Sequence, residues 1–79
     1  MNETNVYYVI KLYSIKFNQY FYLYANNSYK QGIYIADRFP SYEECLARMQ
    51  EFFQWNEQRK DFDMSKSKVC KITLIEEDM

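Results

Sequence analysis

Hydrophobic and polar positions alternate with period two at the start of the chain. Over residues 6–15, Val6, Tyr8, Ile10 and Leu12 fall on one face and Tyr7, Val9, Lys11 and Tyr13 on the other, which predicts a strand. Both faces are mostly apolar, so the strand belongs at the centre of a sheet. Lys16-Phe17-Asn18 reads as a reversal into a second strand over residues 19–25. There Phe21 and Leu23 point to one face, and Tyr20, Tyr22 and Tyr24 to the other. Asn26-Asn27-Ser28 has the composition of a turn, because Asn tolerates positive φ and short polar side chains bond nearby backbone groups. A third, short strand is expected over residues 33–36, with Ile33 and Ile35 on one face and Tyr34 on the other.

The period then changes. In Phe39-Pro40-Ser41-Tyr42-Glu43-Glu44, Ser41 can cap a first helical turn and Glu44, three residues on, can complete a capping box. Cys45, Leu46, Met49, Phe52 and Phe53 follow at helical spacing as one apolar stripe, with Trp55 at its margin. The helix is expected to fray between residues 56 and 60, where Arg59 and Lys60 complement its negative end. Residues 61–68 read as a connecting loop in which Phe62 or Met64 tucks against the core. A last strand over residues 69–75 sends Cys70, Ile72 and Leu74 inward and Lys71 and Thr73 outward. The expected fold is α+β: a four-stranded, mostly antiparallel sheet in the order β-β-β-α-β, with one amphipathic helix on its aliphatic face. The central character of the first strand suggests a strand order of 3-2-1-4.

Composition narrows the picture. A chain of 79 residues makes a single domain spanning residues 1–79. Six Phe and nine Tyr against one Gly and one Pro argue for a packed chain rather than a disordered one. Ten basic and eleven acidic residues leave a net charge of −1, so no long-range field recruits a polyanion. The acids concentrate in the second half and end in Glu76-Glu77-Asp78, which reads as a solubilising tail. No stretch is long enough to span a bilayer and the start of the chain lacks a signal-peptide pattern, so a cytoplasmic location is expected.

Chemistry is read mostly by exclusion. Without histidine there is no Ser-His or Cys-His pair and no ordinary catalytic zinc site. A single glycine provides neither a phosphate-cradling loop nor a dinucleotide fingerprint. Cys45 and Cys70 are too far apart in sequence for a metal-binding pair, and read as buried free thiols. Neither catalysis nor a cofactor or metal is expected.

What is left is the tyrosine face. Tyr7, Lys11, Tyr13, Tyr20, Tyr22, Tyr24 and Tyr34, with Trp55 as a separate anchor, are the candidate binding residues. Half-exposed tyrosines also stabilise strands by cross-strand pairing. A contiguous aromatic patch, however, marks an interface, and Tyr is enriched at binding hot spots. A protein partner ranks ahead of single-stranded nucleic acid, because only Lys11 and Lys71, with Lys16, Lys30 or Arg38 at the rim, are expected to meet phosphates. A self-associating, small-ligand-sequestering homo-oligomer is the third reading.

Over residues 6–55 the chain resembles small accessory proteins of bacteriophages and mobile elements. The likeness rests on a composition rich in Tyr, Asn, Ile, Lys and Phe, and on a strand leading through Ala36-Asp37-Arg38-Phe39 into Ser41-Tyr42-Glu43-Glu44-Cys45. The resemblance implies a viral protein acting in the host cytoplasm as an anti-defence inhibitor, of which anti-CRISPR proteins are one group, by binding a host or defence protein.

Overall fold

The structure, a computed structural model, describes residues 4–25 and 28–75. At its centre is β1 (Thr4–Ser14). It pairs antiparallel with β2 (Gln19–Tyr24) from Lys11↔Tyr22 to Ser14↔Gln19. On its other side it pairs with β4 (Phe62–Ile75) from Thr4↔Ile75 to Ser14↔Phe62. A short β3 (Ser28–Lys30) lies outside β2, and the strand order is β3-β2-β1-β4. One helix, α1 (Tyr42–Trp55), packs on this four-stranded antiparallel sheet. The α+β architecture and the 3-2-1-4 order expected from the sequence are therefore observed.

Local chemistry explains the elements. The β1–β2 reversal occupies residues 15–18, where the Ser14 carbonyl accepts from Asn18 N (2.9 Å) and the Ser14 hydroxyl from Phe17 N (3.1 Å). Asn18 takes φ 55°, a left-handed conformation that its short amide side chain tolerates. The expected turn at Asn26-Asn27-Ser28 falls on two residues outside the described ones, and Ser28 itself begins β3 opposite Tyr24. At α1 the Ser41 hydroxyl accepts from Glu44 N at 3.2 Å, and Glu43 and Glu44 place negative charge in the first turn.

The third strand lies earlier than its expected place. Ser28–Lys30 supplies it, whereas Ile33–Ile35 forms a single 3₁₀ turn. An apolar-Tyr-apolar triplet is too short for its period to decide between strand and turn. Tertiary pairing decides here, because the chain after the turn fills the space where β2 and β1 diverge. Asp37 N donates to the Leu23 carbonyl (3.0 Å), and Phe39 and Tyr8 exchange two backbone hydrogen bonds of 2.9 Å.

Residues 61–68 are not a loop. The expected fraying after α1 is replaced by a 3₁₀ turn, Glu57–Asp61, started by the Asn56 side-chain oxygen accepting from Gln58 N at 2.7 Å. β4 begins at once with Phe62, which is buried, while Met64 is 64% exposed. Between the pairs Lys11↔Lys68 and Tyr13↔Asp63, one residue of β1 (Leu12) faces four of β4 (Met64 to Ser67). This is a large bulge, beyond the usual two residues against one. Ser67, 8% exposed, pins it: its hydroxyl accepts from Tyr13 N (2.9 Å) and donates to the Asp63 carbonyl (2.8 Å).

The faces of β4 are also the reverse of those expected. Val9 pairs with Cys70 and Tyr7 with Ile72, whereas Tyr8 pairs with Lys71 and Val6 with Thr73. Paired residues share a face. Cys70, Ile72 and Leu74 thus lie on the tyrosine side, and Lys71 and Thr73 on the side that carries the helix. Fully buried Val9 and half-buried Cys70 and Ile72 give the second face an apolar strip of its own. Under the helix the core is Ile10, Leu12, Leu23, Cys45, Phe52 and Phe62. Edge-to-face contacts tie it together, with ring centroids 5.7 Å apart for Phe52–Phe62 and 4.9 Å for Tyr29–Phe62.

A candidate binding face of paired tyrosines and cations

Strand alternation and the register bring Tyr7 and Tyr13 of β1 beside Tyr20, Tyr22 and Tyr24 of β2, on the face turned away from α1. Lys11 stands among them. All six side chains are half-buried. Tyr13 and Tyr20, directly paired, meet edge to face at 5.0 Å, and the Tyr13 hydroxyl donates to the Asn18 side-chain oxygen.

Two candidate residues stand apart from this group. Tyr34 sits on the 3₁₀ turn and is 91% exposed, and Trp55 ends the helix on the other side of the sheet, 71% exposed. Neither belongs to the sheet face.

Of the cations on this face, Lys66 and Lys68 are the two that sequence reading missed. The Lys11 Nζ lies 4.7 Å from the Tyr20 ring centroid and 5.8 Å from that of Tyr22. From β4, Lys68 reaches Tyr20 at 5.1 Å and Lys66 reaches Tyr13 at 4.9 Å. Lys30 of β3 approaches Tyr24 at 5.8 Å, and the Arg38 guanidinium covers Tyr7 at 4.5 Å. All five tyrosines thus have a cation within the range of cation–π attraction. The signal for Lys66 and Lys68 lay in the alternation of Lys66, Lys68 and Cys70, hidden by the loop-like composition around Ser65 and Ser67.

Among the described residues, charge on this face is not balanced locally. The neighbours of Lys11 across the strands are Tyr22 and another lysine, Lys68, a like-charge pairing that costs stability. On this face the strands carry Lys11, Lys30, Lys66 and Lys68 and one acid, Asp63, while Lys71 lies on the helix side. That acid is occupied within the bulge, where its Oδ1 accepts from the Ser65 hydroxyl (2.6 Å) and Ser65 N (2.9 Å). The Ser65 hydroxyl above all, then its backbone N–H and Lys66, hold the Asp63 carboxyl below the usual range. The helix itself is acidic, with Glu43, Glu44 and Glu51 against Arg48, while Lys71 of β4 lies on the same side of the sheet.

Among the described residues no reactive constellation accompanies this face. Burial first, and the neighbouring Cys70 second, push the Cys45 thiol up to about 12, so it stays protonated and unreactive as a nucleophile at neutral pH. Among the described residues no group of three or more Cys, Asp or Glu side chains is arranged to hold a metal ion. No helix of the described residues is long and apolar enough to cross a membrane.

The fold and face together define a small α+β domain with one sheet face covered by a helix and the other tiled with tyrosines and cations. In comparison with known proteins, no family model, no curated protein and no solved structure matches this chain.

Proposed function

We propose that the protein is a non-catalytic binding module and that its tyrosine–cation sheet face is the surface that contacts an anionic macromolecule. One observation carries this reading: five cations, Lys11, Lys30, Arg38, Lys66 and Lys68, stand over tyrosine rings on a face whose strands contain a single acid. Cation–π contacts at partly exposed rings contribute about 0.5–1 kcal/mol each. That return is small against the repulsion of clustering five like charges, so fold stability alone gives no reason to gather them. An anionic partner does.

From the sequence, a protein partner ranked ahead of nucleic acid because few cations were expected on the face. With Lys66 and Lys68 gained and Lys71 lost to the helix side, the face holds one cation more than expected, which weakens that electrostatic objection. In the setting implied by the resemblance to phage accessory proteins, the partner class would be a host or defence component, and the protein its inhibitor.

The test is capture from a cell lysate on immobilised protein, with and without nuclease, comparing wild type with a Tyr20/Tyr22/Tyr24→Ser variant. A partner retained by wild type, released by salt and lost in the folded variant supports the reading. Equal capture by both proteins refutes it.

A further inference from the structure

We propose that the ligand of this face is single-stranded nucleic acid, an inference that rests on the reading of the face as the contact surface. The two halves of each tyrosine–cation pair are the two things a single strand needs. A ring offers a platform on which a base stacks whatever its identity, and an ammonium or guanidinium beside it meets the phosphate. On binding, the cation swings from ring to phosphate and the ring it uncovers takes the base. Lysine stems are long and unbranched, and Lys30, Lys66, Lys68 and Arg38 are exposed, so this exchange needs no backbone movement. An acidic protein surface would engage the same cations and bury the rings as contact area, but the alternation of ring and cation matches a ligand whose own groups alternate between base and phosphate.

The layout fits an extended chain. Tyr20, Tyr22 and Tyr24 recur at every second residue of β2, and so at intervals of roughly 6.6 Å along the strand. Tyr7 and Tyr13 make a parallel row on β1, with Lys11 between them in sequence. A duplex fits poorly, because the face is an open sheet and the one helix that could enter a groove is itself acidic and lies on the opposite side. Charge complementarity is therefore directional: the backbone of a polyanion is drawn to the tyrosine side rather than to the helix, which carries three acids and one base.

The decisive experiment is fluorescence anisotropy of labelled oligothymidylate and oligouridylate of about ten nucleotides, within the usual site size, with a labelled polyglutamate peptide and a DNA duplex as parallel probes. Measurements run with the full chain between roughly 50 and 200 mM NaCl. Binding to a single strand with a log–log salt slope of up to about −3.5, or about 0.7 for each of five cations, is expected. Lys11→Gln and Lys68→Gln each reduce that slope by about 0.7. Tyr20→Leu and Tyr22→Leu, with folding checked by circular dichroism, weaken binding roughly fivefold to a hundredfold and leave the slope unchanged. The two oligonucleotides separate RNA from DNA.

Absence of oligonucleotide binding overturns the proposal, as does binding that is indifferent to the tyrosine substitutions. Polyglutamate binding that depends on the lysines, without oligonucleotide binding, overturns the nucleic-acid assignment and preserves the face as an anion-binding surface. Failure of every probe, together with equal lysate capture by wild type and the Tyr20/Tyr22/Tyr24→Ser variant, overturns both.

Discussion

Replacing Ser67 with alanine tests whether the bulge in β4 is held by one hydroxyl. The Ser67 Oγ links Tyr13 N on β1 to the Asp63 carbonyl at the far end of the bulge, in a site only 8% exposed. Ser67→Ala leaves both backbone groups to find other partners. Each such group costs about 1–3 kcal/mol when poorly hydrated, and allowing for some relaxation of the bulge the pair costs about 2–4 kcal/mol. For a domain of this size that lowers Tm by at least about 8 °C. Ser65→Ala is the control. It removes an exposed hydroxyl bonded to Asp63 Oδ1 and should cost less than about 1 kcal/mol. Urea and thermal melts followed by far-ultraviolet circular dichroism measure both. A Ser67→Ala protein within about 0.5 kcal/mol of wild type, or a costlier Ser65→Ala, would refute the assignment. Because Lys66 and Lys68 flank Ser67, the same substitution should also weaken ligand binding by displacing Lys66 from Tyr13 and Lys68 from Tyr20.

Three further expectations follow from single residues. Phe52→Ala, at a fully buried site packed edge to face on Phe53 and Phe62, should cost about 3–5 kcal/mol in the same melts and expose the core to a hydrophobic dye. Gly32→Ala should be neutral or stabilise by up to about 1 kcal/mol in a urea titration, since Gly32 has φ −78° and ψ 127° and an added Cβ meets nothing within 4 Å. The folded chain holds the Cys45 proton more tightly than the unfolded chain, so this group's contribution is full below about pH 9 and declines as the pH rises toward 12. Cys45→Ala should flatten that alkaline loss of stability, and in native wild type a thiol reagent should modify half-buried Cys70 well before Cys45.

The features legible in the sequence are those governed by short-range chemistry or by a long, unbroken period. Ser41 with Glu44 marked the start of the helix. The run over residues 6–15, mostly apolar on both faces, marked a central strand, observed as Thr4–Ser14, and Tyr20 to Tyr24 divided between faces as their alternation required. The misread parts depend on contacts distant in sequence. Nothing local in Ile33-Tyr34-Ile35 reveals that Asp37 will bond Leu23 and Phe39 will bond Tyr8. In Asp63-Met64-Ser65-Lys66-Ser67 the residues that commonly make turns are used to stabilise a bulge inside a strand, so composition argued for a loop. That bulge, with the pairing of Cys70 to Val9, also decides which side the lysines of β4 occupy. The aromatic half of the candidate site was therefore readable, with Lys11, Lys30 and Arg38, and the contribution of β4 was not: Lys66 and Lys68 were missed and Lys71 was placed on the wrong side.

The separation of charge between the two sides has a practical consequence for handling the molecule. With a formal charge of −1 but a basic sheet face opposite an acidic helix, its chromatography should follow local patches rather than its pI of about 5.3. At neutral pH and low ionic strength it should adhere to cation-exchange resin through the sheet face and to anion-exchange resin through the helical side, and leave both in modest salt.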